Sequence, residues 1–360
     1  MIVDCMGGDR APLEAVRGAY AASAEYNASF ILVGDRQAIG QIAAADGMDL
    51  SHFDIVHAPE TVNMNDDPLT VIRTKKNSSM TKSLELLAEG RGDAVVSTGN
   101  TGALFTGATL IVRKIKGVRR PAIGGILPTD PPVLLVDSGA NTVVTEEYLE
   151  QFAVMGSIYM QSLYGLQSPR VGLLNNGVEE CKGTELQVAT YARLKELPGI
   201  NFVGNVEADK IPQNACDVLV TDGFTGNILL KSFEGLGRLM LTSMKDLFYS
   251  NLRGKLSGLL VSDGTAALKR RFDAREHGGA PLLGISKPVI KAHGSSDAKA
   301  VKNAVRQAIA YAQSGTIVNI AKEIKMFAPS RPDSPKDTAA AGPAARDGTE
   351  AAVREKETSK

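Results

Sequence analysis

Short β-branched runs alternate with helix-period segments from the first residues of the chain. Ile2-Val3, Phe30–Val33, Phe53–Val56 and Ala94–Val96 read as strands, each closed by Gly, Asp or a Ser/Thr pair. Between them, Ala11–Ala24, Arg36–Ala45 and Ser78–Ala88 carry helical spacing. Further strands are predicted at Ala122–Leu127, Val133–Val136, Val171–Leu174, Asn201–Val203 and Val218–Thr221. Strands that are apolar throughout, rather than alternating, predict a mostly parallel sheet covered on both faces. The Pro-rich turn Pro128–Pro132 predicts a hairpin, and with it a locally antiparallel patch. From Gly223 to about Arg275 the pattern becomes long and helical, then returns to strand character over Leu282–Ile290. Asp297 then caps a helix whose Ala300, Val301, Ala304, Val305, Ala308, Ile309 and Ala312 share one face. After Phe327 aromatics cease, and 328–360 is expected to be a disordered tail for lack of apolar surface to bury.

Composition narrows the function. Net charge is zero, which gives nucleic-acid binding no electrostatic support. The three cysteines have no CxxC pairing, as in a reducing compartment, and nothing near Met1 resembles a secretion signal. No apolar stretch approaches the ~18 residues of a membrane span. A cytosolic protein is expected. The histidines His52, His57, His277 and His293 show no metal-site spacing, so no metal site is expected. There is no Gly-x-Ser-x-Gly elbow, and Gly235-Leu236-Gly237 lacks a third glycine, with Met240 in its place.

Glycine-rich polar clusters recur where strands end. They are Asp4–Asp9 (with Gly8), Ser97–Gly102 (with Asn100 and Thr101), Asp137–Asn141, Asn175–Glu185, Thr221–Asn227 (with Asp222 and Gly223) and His293–Ser296 (with Ser295). In a doubly wound sheet such carboxyl ends share one edge, which predicts a single cleft. Backbone N–H groups, hydroxyls and amides suit phosphate oxygens. Taken singly, each cluster is explained as a strand terminator or helix cap. The segment Asn175-Asn176-Gly177-Val178-Glu179-Glu180-Cys181-Lys182-Gly183-Thr184-Glu185 stands out, because it puts one lysine at a helix start after a strand. It is no nucleotide P-loop, since Lys182-Gly183-Thr184 reverses the required Gly-Lys-Ser/Thr order. Cys181 has no neighbouring histidine to activate it. Over Lys245–Arg275, basic residues including Lys269 and Arg270 flank Leu256, Leu259 and Leu260. That amphipathic hairpin suits a membrane surface, an acidic partner or a dimer contact.

Together these blocks closely resemble the bacterial phosphate acyltransferases of phospholipid synthesis, from Ile2 to about Ile324. The resemblance is carried by DCMGGDRAP from Asp4, DDPLTVIRTKKNSSM from Asp66, STGNTGA from Ser97, RPAIGGILPT from Arg120 and DSGAN from Asp137. NNGVEECKGTE from Asn175, GNVEADKIP from Gly204, DVLVTDGFTGNILLK from Asp217 and the run from Gly278 through KAHGSSDAKA continue it. Cys5 stands where the family often carries Ala, and Asn176 and Thr184 are less usual. The resemblance implies a three-layer α/β/α Rossmann-like fold over 1–327, akin to phosphotransacetylases and isocitrate dehydrogenases, with a protruding hairpin at about 245–275. It implies transfer of a fatty acyl group from acyl carrier protein to inorganic phosphate without a cofactor. Lys182 and Asn227 match the family's catalytic pair. Gly8, Asp9, Asn100, Thr101, Asn141, Asp222, Gly223, His293, Ser295 and Ser296 are candidates for holding phosphate or substrate. A homodimer, peripheral membrane contact and a link to a membrane glycerol-3-phosphate acyltransferase are further implications. Competing readings are a phosphotransacetylase-like enzyme using acyl-CoA, an inactive membrane scaffold, and a nicotinamide dehydrogenase on the related fold.

Overall fold

The computed structural model describes residues 1–327; the tail expected over 328–360 lies outside the described residues. Eleven strands form one sheet: β1 (Ile2–Asp4), β2 (Phe30–Gly34), β3 (Phe53–His57), β4 (Val95–Ser97), β5 (Ala122–Leu127), β6 (Val133–Val136), β7 (Arg170–Leu174), β8 (Asn201–Val206), β9 (Val218–Val220), β10 (Ala280–Leu283) and β11 (Val289–Lys291). Their spatial order is β3-β2-β1-β4-β11-β10-β5-β6-β9-β7-β8. Every strand predicted from the pattern is present, and Leu282–Ile290 resolves into two antiparallel strands, β10 and β11.

The sheet consists of two parallel wings. β3, β2, β1, β4 and β11 run together, and so do β6, β9, β7 and β8. Between the wings the direction reverses three times, at β11/β10, β10/β5 and β5/β6. The last reversal is the hairpin anticipated at the Pro-rich turn. An odd number of reversals turns the second wing end for end, so its strand ends lie at the opposite edge of the sheet. The expectation of one shared carboxyl edge is therefore corrected: it holds within each wing and fails between them.

Both faces are covered, as the uniformly apolar strands predict. Successive residues Ile2 and Val3 are both buried but join different core clusters, the period-two signature of a strand packed on two sides. On one face, Leu13–Ser23 packs against Ala298–Gln313. The latter is capped by Asp297, whose carboxylate accepts from the Ala300 amide at 3.0 Å. Glu146–Tyr164 runs beneath the second wing and is buried nearly all round through its middle. At Gly156 an added Cβ would stand 2.7 Å from Val218 Cγ1, so a side chain there would push the helix off the sheet.

The helix Gly223–Tyr249 lies over β5 and β6, packing through Leu229, Leu230 and Phe233. Its fully buried positions are all glycines, Gly223, Gly226 and Gly237. The chain then folds back through helices Leu252–Leu260 and Ser262–Phe272. Phe248 rests on Gly258, and Phe272 on Gly237. Among the described residues, no helix is long and apolar enough to cross a membrane.

Candidate active site

The six glycine-rich loops form two sets of three. In the first wing, β1, β4 and β11 are neighbours, which brings Asp4–Asp9, Ser97–Thr101 and His293–Ser296 together. In the second wing, β6, β9 and β7 are neighbours, which brings Asp137–Asn141, Thr221–Asn227 and Asn175–Glu185 together.

The second set carries the pair Lys182 and Asn227. Its loops are built around Asp137, which is completely buried. That carboxylate accepts from the backbone N–H groups of Ile123, Gly139, Ala140 and Asn141, and from the Asn141 side-chain amide at 2.9 Å. Burial pushes the Asp137 pKa up, and these donors pull against it. Asn141 also donates to Pro121 O at 2.8 Å, and its own carbonyl receives the Gly223 N–H at 2.7 Å. Asn141 and Gly223, candidates for substrate contact, are thus engaged in joining the β6 loop to the start of the long helix. Asp222 caps that helix, accepting from Thr225 N at 2.9 Å and Thr225 Oγ1 at 2.7 Å. A Cβ on Gly226 would fall 1.9 Å from Asp137 O, so glycine is required for the helix to sit this low. One residue later, Asn227 is exposed beside Gly139.

The Lys182 loop is held from outside. Asn175 Nδ2 donates to Lys182 O at 3.0 Å, and Asn205 Nδ2 donates to Glu179 O at 2.8 Å. Glu180 pairs with Lys195 at 2.7 Å and accepts from Tyr191. Gly183 takes φ +93°, which turns the chain into the helix Glu185–Glu196, and Thr184 and Gln187 form a capping box there. Lys182 itself is exposed, and its ammonium has no ion pair or hydrogen bond among the described residues. No hydrogen bond joins it to Asn227; the two stand on the loops of adjacent strands at one sheet edge.

In the first set the backbones interlock. A Cβ on Gly8 (φ +87°) would meet Gly294 O and Thr98 Oγ1 at 2.8 Å, and Asp9 N–H donates to Gly294 O at 2.8 Å. Thr98 Oγ1 donates to Gly7 O at 2.6 Å. His293 is solvent-accessible, and both Ser295 N–H (3.2 Å) and Ser295 Oγ (2.9 Å) approach its Nδ1. An accepting Nδ1 places the ring proton on Nε2, which is then a donor. Loss of water around the ring, then Lys231 nearby, lowers its pKa, which favours the neutral imidazole. Ser296 is buried, Asp9 and Thr101 are exposed. Asn100 caps the helix Thr101–Gly107, and its amide donates to carbonyls of Asn63 and Met64. Its polar atoms are committed to the fold.

The long helix begins in the second set and comes near the first. Asn227 lies in its first turn, and Lys231 lies one turn on along the same face. Lys231 and Glu234, paired at 2.8 Å, are near enough to His293 to perturb it. Sequence reasoning missed Lys231, Lys291 and the structural centre Asp137. The signal for Lys291 is visible in retrospect: a lysine closes an otherwise apolar central strand. The hairpin residues Leu256, Leu259 and Leu260 are exposed (61%, 71% and 79%), and Lys269 and Arg270 are exposed as well. Among the described residues no cluster of His, Cys, Asp or Glu is suited to a metal.

The architecture is shared with solved structures of low sequence identity. The chain aligns with a phosphotransacetylase from Streptococcus pyogenes at TM-score 0.55 and 15% identity, covering 90% of this chain and 94% of that one. It aligns equally with a branched-chain phosphotransacylase from Enterococcus faecalis, TM-score 0.55 over 87% and 99%. At such identities the likeness establishes a Rossmann-type α/β/α fold. Residues 1–319 match the family described as fatty acid synthesis protein. Relatives named phosphate acyltransferase include those of Caldanaerobacter subterraneus (42% identical, 91% of this chain and 97% of theirs) and Brevibacillus brevis (45%, 86% and 93%). The chain belongs to this phosphate acyltransferase family, a family of acyl-transferring enzymes.

Proposed function

We propose that the protein moves a fatty acyl group from the thioester of acyl carrier protein to inorganic phosphate, giving acyl phosphate for phospholipid synthesis. The observation that supports this most is the placement of Lys182 and Asn227 on neighbouring strand ends of one wing, with the Asn227 helix leading towards the polar loops of the other. Thioester and acyl phosphate are both activated, so no nucleotide is needed. A phosphate oxygen attacks the thioester carbonyl, and negative charge gathers on the carbonyl oxygen. Lys182 and the Asn227 amide stabilise that charge, and collapse expels the carrier thiolate. Holding phosphate and thioester side by side supplies much of the rate.

Direct transfer agrees with two of the three cysteines, Cys181 being exposed. Cys5 and Cys216 are buried, and burial raises both thiols, Cys216 to about 12. Neither is poised as an acyl acceptor. Gly8, Asp9, His293, Ser295 and Ser296 are assigned to the phosphate, with the His293 Nε2–H as donor. Thr101, Asp222 and Gly223 shape the surrounding loops. Lys269 and Arg270 suit an acidic carrier protein, and Leu256, Leu259 and Leu260 suit a lipid surface or a second subunit of a homodimer. Membrane contact would deliver acyl phosphate to a membrane glycerol-3-phosphate acyltransferase.

The test is hydroxylamine trapping of acyl phosphate from purified protein, inorganic phosphate and either acyl carrier protein or CoA as donor. Trapping with the carrier substrate is expected. Trapping with acyl-CoA alone would move the reading to a phosphotransacetylase-like donor. Lys182→Ala is expected to lower turnover about a hundred- to a thousandfold with the fold intact.

A further inference from the structure

Between the helical turn Ala108–Val112 and β5 the chain runs Arg113-Lys114-Ile115-Lys116-Gly117-Val118-Arg119-Arg120, five basic residues in eight with no acid among them. In a chain of zero net charge, such a run makes a strong local field. The run is also rigidly held. Ile115 and Val118 are buried, and the Ile115 N–H donates to Gly284 O at 2.9 Å. Gln151, from the helix Glu146–Tyr164, accepts from the Arg119 N–H at 2.8 Å and donates to Gly117 O at 3.1 Å. Lys114 Nζ closes the loop on Arg119 O at 2.7 Å. Arg119 pairs with Glu147 at 3.2 Å, and the Arg120 guanidinium lies over the Tyr148 ring, 5.9 Å from its centroid. Arg113 and Lys116 are exposed and form no ion pair among the described residues.

Arg113 carries a further mark. Its φ of 76° and ψ of 161° fall where essentially only glycine is at ease. Its N–H donates to Ala108 O and its carbonyl accepts from the Ser286 N–H, each at 2.9 Å, which holds it there. An arginine kept in a glycine's conformation, its side chain in solvent, points to a use outside the fold. The loop also adjoins the candidate site. One residue beyond Arg120, Pro121 O accepts from the Asn141 side-chain amide at 2.8 Å, and the Ile123 N–H donates to Asp137 at 3.1 Å. Because β5 runs antiparallel to β6, its first residues lie where the Asp137–Asn141 loop departs, at the edge that carries Lys182 and Asn227. Lys269 and Arg270 share the charge, but no hydrogen bond among the described residues ties them to those loops. Resting on the reading that the acyl donor is a carrier protein, we infer that Arg113, Lys116 and Arg120 form the docking surface for an acidic carrier protein, which presents its thioester to the adjoining Lys182 and Asn227 loops. Charges fixed in advance by the backbone lose little freedom on docking and speed encounter with an oppositely charged partner.

The test uses the double variant Arg113→Glu/Lys116→Glu, with acyl carrier protein as the probe. KM for the acyl-carrier substrate should rise tenfold or more, with kcat and phosphate KM within twofold of the parent. Raising salt from about 50 to about 300 mM should lift the parent's carrier KM several-fold and change the variant's little. An unchanged carrier KM in the folded variant overturns the assignment. So does an unchanged carrier KM joined to lost sedimentation with anionic vesicles, which makes the loop a lipid contact. A rise confined to Lys269→Glu/Arg270→Glu overturns it too, by moving the carrier to the hairpin. Arg113→Gly separates docking from stability: relief of the backbone should raise its melting temperature while carrier KM still rises several-fold. A higher melting temperature with the parent's carrier KM refutes the role of Arg113. Fluorescence anisotropy of labelled carrier protein distinguishes this inference from the proposed function. If the parent forms no acyl phosphate yet binds carrier tenfold more tightly than the double variant, the function fails and the docking surface stands. If acyl phosphate forms from the carrier substrate and both proteins bind carrier equally, the function stands and the docking surface falls.

Discussion

Lys291 is buried against carbonyls with no carboxylate in contact, so removing its charge, as in Lys291→Met, should make the protein more stable. Its pKa falls from 10.5 to about 8 on folding. At about 1.4 kcal/mol per unit, holding it charged at pH 7 costs about 3 kcal/mol. That cost already includes the attraction of Asp4. Methionine has similar length and no charge, but it leaves Thr98 O and Ala292 O without their donor, at about 1 kcal/mol each, the low end for an unpaired buried acceptor, because the Thr98 O contact is long at 3.4 Å. A net gain of about 1–2 kcal/mol remains, which for a chain of this size raises the melting temperature by a few degrees. The sign follows from the depressed pKa of a base. Below pH about 8 both folded and unfolded chains carry the proton, and the folded state bears the full cost. Between about 8 and 10.5 only the unfolded chain holds it, so the parent gains stability with pH and the variant's advantage shrinks. Scanning calorimetry in phosphate-free buffer at pH 7 and pH 10 measures this difference. A variant that melts below the parent at both values would refute the claim that the ammonium lacks its partner.

Four further outcomes are expected. Gly226→Ala places a methyl 1.9 Å from Asp137 O, so the long helix must lift; a loss of several kcal/mol by urea titration and a sharp fall in turnover should appear together. Asp137→Ala strands four backbone N–H groups in the interior, and a loss of about 3 kcal/mol or more is expected from equilibrium denaturation. Cys181→Ser should retain turnover and resist thiol-directed inhibitors, since the proposed transfer uses no thiol. Replacing Leu256, Leu259 and Leu260 with Glu should leave the melting temperature within about 1 °C, because these side chains are exposed, while abolishing sedimentation with anionic vesicles.

The sheet was legible because its strands obey a simple rule: apolar runs such as Val171–Leu174 end at Gly or Asp. The amphipathic helix after Asp297 was equally clear, since its buried face contrasts with Lys299, Lys302 and Arg306. Glu146–Tyr164 left no such contrast; it is buried on most sides, and a helix apolar all round has no period to detect. The π-turn Ala108–Val112 likewise has no local signature. Sequence also named the loops of the site but not their grouping. Whether two loops meet depends on strand order and direction, and the antiparallel insertion of β10 comes from residues far along the chain. Lys182 was visible from its glycine neighbour and helix start. Lys291 was hidden because a lysine at a strand end is ordinarily solvated, and only burial without an ion pair sets it apart.

The long helix meets the Asp137 loop through Gly223 and Gly226, interlocks with the sheet through Leu229, Leu230 and Phe233, and receives Phe272 at Gly237. Side chains thus lock the helix after its first turn, and bare backbone lets that first turn come close. Asn227 and Lys231 move as one body, since a single turn of backbone hydrogen bonds fixes the roughly 6 Å between them. Whatever meets this helix along that face meets an amide and an ammonium at one fixed separation.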